Sequence, residues 1–135
     1  DLDPGLIVPV MHDTDELSLV GIGKKIMDLA GRARSLKLGP EEIQGATFSI
    51  TNPGVLGTLV GMPIIPLGTA AILGTGAIEK RPVVVEDPLT STDAIAIRKR
   101  SLFSLAYDHR LVDGADAARF LAELKALLED FPEDA

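Results

Sequence analysis

Apolar residues fall along this chain in two patterns, short continuous runs and stripes at helical spacing. Gly5-Leu6-Ile7-Val8-Pro9-Val10 is a continuous apolar run and predicts a buried strand. Pro9 has no N–H to donate and is expected at an edge or at the strand end. Met11 to Glu16 is polar and turn-like. Within residues 18–36, Leu19, Ile22, Ile26, Leu29, Ala33 and Leu36 recur three and four positions apart, which predicts an amphipathic helix. Ser18 stands in the N-cap position, and Gly39-Pro40 is a stop signal. Glu41 to Gln44 suits a single helical turn. Ala46 to Thr51 predicts a strand with Phe48 and Ile50 on one face and Thr47, Ser49 and Thr51 on the other, closed by the turn Asn52-Pro53-Gly54.

Residues 52–68 hold four glycines and three prolines and predict an ordered irregular loop around Met62, Ile64 and Ile65. Thr69 to Ile78 reads as a small-residue strand buried on both faces. Pro82–Glu86 and Ala94–Arg100 read as a hairpin with a polar loop. Ser101 to Tyr107, apolar on both faces, is expected as a central strand. A last helix is expected over Ala115–Asp130, its stripe being Ala117, Phe120, Leu121, Leu124, Leu127 and Leu128, with an acidic frayed tail behind it. Strand, helix, several strands, helix is an α/β or α+β order, a sandwich of sheet and helices.

Composition narrows the chemistry. The 135 residues suit one domain, and 46% hydrophobic with 24% charged residues is globular. A net charge of −7 argues against nucleic acid, whose phosphates call for a basic surface. Without an apolar run of about 18 residues, no membrane partner is expected. There is no cysteine, so no disulfide, thiolate metal site or cysteine nucleophile is available, and two histidines are too few for a histidine-rich metal site. No metal is expected.

The stretch Tyr107-Asp108-His109-Arg110-Leu111-Val112-Asp113-Gly114 carries the chemistry. A buried strand ends, a histidine follows, and a helix starts a few residues later. Histidine exchanges protons near neutral pH. Asp113, four residues on, suits either orienting the histidine, an ion pair with an arginine, or a plain N-cap. Without a Gly-x-Ser-x-Gly elbow or a cysteine, a catalytic His109 acts most simply as general base on a substrate's own nucleophile, with acyl transfer passing directly between two substrates. Thr51 and Ser49 are candidate donors to the oxyanion, although hydroxyls are common on strand faces. Gly74-Thr75-Gly76 and Gly21-Ile22-Gly23-Lys24 lack phosphate-loop spacing and read as packing glycines. Lys80-Arg81 and Arg98-Lys99-Arg100 suit a coenzyme A phosphate or a solvated face.

Four segments taken in order resemble the catalytic domain of dihydrolipoamide acyltransferases, the E2 components of 2-oxo acid dehydrogenase complexes. They are Gly5 to Val10, Ala46-Thr47-Phe48-Ser49-Ile50-Thr51-Asn52-Pro53-Gly54, Ala71-Ile72-Leu73-Gly74-Thr75-Gly76-Ala77-Ile78, and Tyr107 to Ala115. The resemblance implies a chloramphenicol-acetyltransferase-like fold, a mixed sheet flanked by helices. It implies a homotrimer with the site between two subunits, with a larger core as the further assembly open to it. His109 would be the base that deprotonates the thiol of coenzyme A or of a dihydrolipoyl group. Thr51, from the neighbouring subunit, would donate to the oxyanion, and Asp113 would fix the histidine loop. Ser49 and Asn52 are the expected cofactor-binding residues.

Acetyl or succinyl is the expected acyl group. Residues 1–135 would be the C-terminal portion of that domain, its N-terminal part missing, with the lipoyl group on a separate or missing domain and the E1 and E3 components reached through missing domains. Apolar surface should then be exposed. Bacterial cytoplasm is the expected location, with the mitochondrial matrix as the alternative. Another coenzyme-A-dependent acyltransferase of the same fold, or an inert core that scaffolds partner enzymes, are the competing readings.

Overall fold

The computed structural model describes residues 5–132. They form two compact units, one of residues 5–47 with 127–132, the other of residues 48–126. The expected acidic tail beyond Pro132 lies outside the described residues.

In the first unit, α1 (Leu19–Arg34) starts where its cap predicts, the Ser18 hydroxyl accepting the Gly21 N–H at 3.1 Å. Leu29 and Ala33 of the expected stripe are buried, while Leu19, Ile26 and Leu36 remain exposed. A 3-10 turn at Pro40–Glu42 follows and is tied back to the helix by Glu42. Its carboxylate receives both Arg32 amino groups, at 2.6 and 2.5 Å, and the Gly39 N–H at 2.9 Å. Asp28 adds a second acceptor to Arg32 at 2.8 Å. Arg32, and after it the Gly39 amide, hold the Glu42 carboxyl down at about 2. The expected strand at residues 5–10 does not form. Gly5 makes an isolated bridge, Pro9 offers no donor, and Val10 gives its N–H to the Glu42 carbonyl at 2.7 Å instead of to a ladder. The polar, turn-like stretch ends in a 3-10 turn at Thr14–Glu16.

The second unit holds a mixed three-stranded sheet of order β1-β2-β5, with β1 (Ser49–Thr51), β2 (Ala71–Thr75) and β5 (Phe103–Tyr107). β1 runs parallel to β2, and β5 antiparallel. The central strand is β2, not the expected 101–107 segment, because β5 pairs on one side only. Four of the five β2 residues are buried, which its small side chains allow. β1 is shorter than expected, and Ser49 on its polar face is buried while Ile50 on the apolar face is exposed. β3 (Glu79–Glu86) and β4 (Asp93–Arg100) form a separate antiparallel ribbon, longer than the expected hairpin strands, with Pro82 opposite Ile97.

The loop over residues 52–68 is ordered by main-chain bonds rather than by an apolar cluster. Met62 and Ile64 are 94% and 90% exposed. The loop is held by Ala77 N–H to the Thr58 carbonyl at 2.9 Å and by the Ser104 hydroxyl to the Gly61 carbonyl at 2.5 Å. These approaches explain two glycines. A Cβ at Gly76 would overlap the Leu59 carbonyl, and one at Gly74 would come within 2.8 Å of the Ser104 hydroxyl. α2 (Gly114–Glu129) closes the order, and its Phe120 ring sits 5.8 Å from that of Phe48.

Candidate functional site

The turn between β5 and α2 is fixed at both ends. At its start, Asp108 donates its N–H to the Ala70 carbonyl at 2.8 Å, extending the ladder one residue past β5. The Asp108 carboxylate then takes three donors from Arg110: the main-chain N–H at 3.0 Å, Nε at 2.9 Å and Nη2 at 2.6 Å. The Asp108 carbonyl accepts from Leu111 and Val112 at 2.9 and 3.0 Å, which closes the turn. The Arg110 side chain, and after it the Arg110 amide, hold the Asp108 carboxyl at about 2. At the far end, Asp113 Oδ1 accepts the Ala115 and Asp116 N–H groups at 2.7 and 2.9 Å and caps α2.

His109 stands between these two anchors. It is exposed, its ring lies 5.4 Å from the Tyr107 ring at an inclination of 48°, and it makes no hydrogen bond within the described residues. Gly114 is not required by packing, since a Cβ there would fall 3.6 Å from the Tyr107 hydroxyl, an ordinary contact. An imidazole held on a rigid turn with both nitrogens available can take a proton from a substrate. Of the roles open to Asp113 in the sequence, the structure shows the N-cap. The aspartate that pairs with an arginine is Asp108, a residue the spacing argument passed over although Asp-x-Arg stands inside the motif.

The other candidates lie elsewhere on the same sheet. Thr51 is the last residue of β1 and sits opposite Gly74, whereas Tyr107 at the end of β5 sits opposite Ala71. Three residue steps and two strand spacings therefore separate Thr51 from Tyr107, about 14 Å between Cα atoms at 3.3 Å per residue and 4.8 Å per strand. His109 follows two residues later, in the turn beyond that end of β5. The fold thus places Thr51 and His109 toward opposite ends of one sheet and does not bring them together within a chain. Ser49, opposite Ile72, is buried, and Asn52 is exposed just past β1. His12, which carries no motif, is exposed with Nε2 2.9 Å from the Glu41 carbonyl.

A cavity of about 290 Å³ lies against α1. It is lined by Ile7, Pro9, Met11, Ile26, Leu29 and Ala33 among others, and contains none of the site candidates. Among the described residues no three His, Asp or Glu side chains converge as metal ligands, and no helix is long and apolar enough to cross a membrane.

Comparison with known proteins meets this geometry. The chain is 50% identical over 130 residues to the dihydrolipoyllysine-residue acetyltransferase component of the pyruvate dehydrogenase complex of Mycobacterium tuberculosis. It is 45% identical over 128 residues to the dihydrolipoyllysine-residue succinyltransferase component of the 2-oxoglutarate dehydrogenase complex of Bartonella vinsonii. These matches cover 96% and 95% of this chain but only 23% and 30% of the relatives, so the chain spans about a quarter of the proteins it matches. Among solved structures, the dihydrolipoamide acetyltransferase of Azotobacter vinelandii, studied for the role of a serine, a histidine and an asparagine in its catalytic mechanism, superposes with a TM-score of 0.85 at 38% identity. That match covers 96% of this chain and 51% of the other. The model of the 2-oxoacid dehydrogenases acyltransferase catalytic domain matches residues 1–134, and the chain belongs to that family.

Proposed function

We propose that this chain is the C-terminal portion of an acyltransferase catalytic domain that moves an acetyl or succinyl group between a dihydrolipoyl thiol and coenzyme A. The observation that carries the reading is His109, an exposed imidazole without a hydrogen-bond partner among the described residues, on a turn clamped by Asp108 and Asp113. In the Azotobacter enzyme the named histidine and asparagine are four residues apart, the spacing of His109 and Asp113 here. At that spacing this chain has a carboxylate in place of the amide, and its oxygen caps α2.

His109 takes the proton of the attacking thiol. The thiolate adds to the thioester carbonyl and forms a tetrahedral oxyanion. Collapse expels the second thiolate, which recovers the proton from the imidazolium, so charge and protons balance over the cycle. Thr51 supplies the oxyanion donor. Because one chain holds Thr51 and His109 toward opposite ends of its sheet, a complete site combines Thr51 of one copy with His109 of another, in a homotrimer that can be the unit of a larger core. Asn52, beside Thr51, contacts the coenzyme, and buried Ser49 backs the strand beneath it. The lipoyl group and the docking of E1 and E3 belong to other domains of the longer protein, and bacterial relatives favour the bacterial cytoplasm.

The test is dihydrolipoamide-dependent consumption of acetyl- or succinyl-coenzyme A by the full-length protein. His109→Ala is expected to abolish it. Activity that survives the substitution unchanged removes the base from the mechanism, and no activity at all in a folded wild type leaves an inert scaffold.

A further inference from the structure

The β3–β4 ribbon presents one face that nothing among the described residues covers. Side chains alternate across a ribbon, and the register sets Lys80 opposite Lys99, Pro82 opposite Ile97, Val84 opposite Ile95, and Glu86 opposite Asp93 on that face. Val84, Ile95 and Ile97 are 67%, 81% and 69% exposed. An isolated two-stranded ribbon is marginal in water, and like charges placed directly opposite weaken it further. This face carries two such pairs, a lysine pair at one end and a carboxylate pair at the other, and none of these four side chains has an ion-pair partner within the described residues. The other face also sets Arg81 opposite Arg98, but there Arg81 is paired with Glu79 at 3.2 Å, and Glu79 stands opposite Arg100.

We infer that this face pairs with the same face of a second copy of the chain, its strands reversed. A two-fold axis lying in the interface across the strands sets β3 over β3. It brings Lys80 over Glu86, Lys99 over Asp93, Pro82 over Val84 and Ile95 over Ile97. Both like-charge pairs are then answered by opposite charge, and the exposed apolar stripe is covered. The contact rests on the reading that copies of this chain assemble, and it is additional to the one that joins Thr51 to His109. Four apolar residues on each side are far fewer than the roughly 20–30 residues per side of a stable interface, so the ribbon adds to an assembly and does not hold free chains together alone.

Charge exchange on the whole chain tests it, read by sedimentation velocity over a range of concentrations. Lys80→Glu with Lys99→Glu makes the face wholly acidic, and Glu86→Lys with Asp93→Lys makes it wholly basic. All four positions are exposed, so the fold is expected to persist. Each pair alone is expected to weaken the ribbon-mediated association on the order of tenfold or more, since like charges juxtaposed at an interface are strongly unfavourable. Combining all four substitutions restores the net charge of −7 and should restore association. A one-to-one mixture of the two double variants should associate as well. Association unmoved by either double variant overturns the proposal, as does weakening that neither the quadruple variant nor the mixture repairs. A failed acyl-transfer assay with intact charge-exchange rescue sinks only the enzymatic reading.

Discussion

At the residue scale the turn 108–113 divides its work among neighbours. Asp108 and Asp113 hold the main chain, and His109 is left free between them. Asp108→Asn keeps the shape but loses the charge that grips Arg110. It is expected to lower kcat by about 10–100-fold through misplacement of the imidazole, with KM nearly unchanged, a split that steady-state kinetics reads directly. Thr51→Ala should leave a residual rate about 10²–10³ below wild type, as for a lost oxyanion donor, against complete loss for His109→Ala.

Elements are set by caps, latches and close approaches. The Glu42 latch has a definite pH sign. Its carboxyl ionises at about 2 when folded, below the ordinary range, so the latch contributes stability above the unfolded value and loses it as pH falls toward 2. Glu42→Gln should therefore flatten the fall in melting temperature between pH 5 and pH 2 relative to wild type, whereas an equal fall in both would show that the latch adds nothing. Ser18→Ala removes the α1 cap and should cost about 1 kcal/mol in urea unfolding. Gly76→Ala meets main chain rather than a movable side chain, and a loss of about 1–3 kcal/mol or more is expected.

For the molecule as a whole, exposed apolar surface is the leading fact. No side chain is completely buried among the described residues, and Met27, Val55, Leu56, Met62, Ile64 and Leu67 stand open. Patches of this kind mark surfaces that other chains or segments cover, which is the exposure that resemblance to a longer, assembled domain implies. The proposed division of the site between two copies would make this functional. Mixing His109→Ala with Thr51→Ala protein under conditions that exchange subunits should raise activity well above either parent, because some hybrid sites recover both groups. No gain on mixing would place both groups in a site within one chain.

Much of this was legible in the chain itself. Local physics fixed α1 and its Ser18 cap, the β3–β4 ribbon, α2, and the motif that delivers His109, because periodicity, capping and turn residues act over a few positions. Tertiary pairing decided the rest. Residues 5–10 have strand composition, yet Val10 spends its donor on Glu42. The apolar pattern of 101–107 could not show that β2 would take the middle of the sheet, since strand order depends on partners far away in sequence. Of the readings open to Asp113 the N-cap prevailed, because a carboxylate next to a helix start finds free N–H groups before it finds an arginine, and the ion pair with an arginine fell to Asp108, which the sequence had not singled out. The sequence named His109 and Thr51 as candidates, but only the register of β1 and β5 on β2 separates them within one chain and so requires two copies to complete the proposed site.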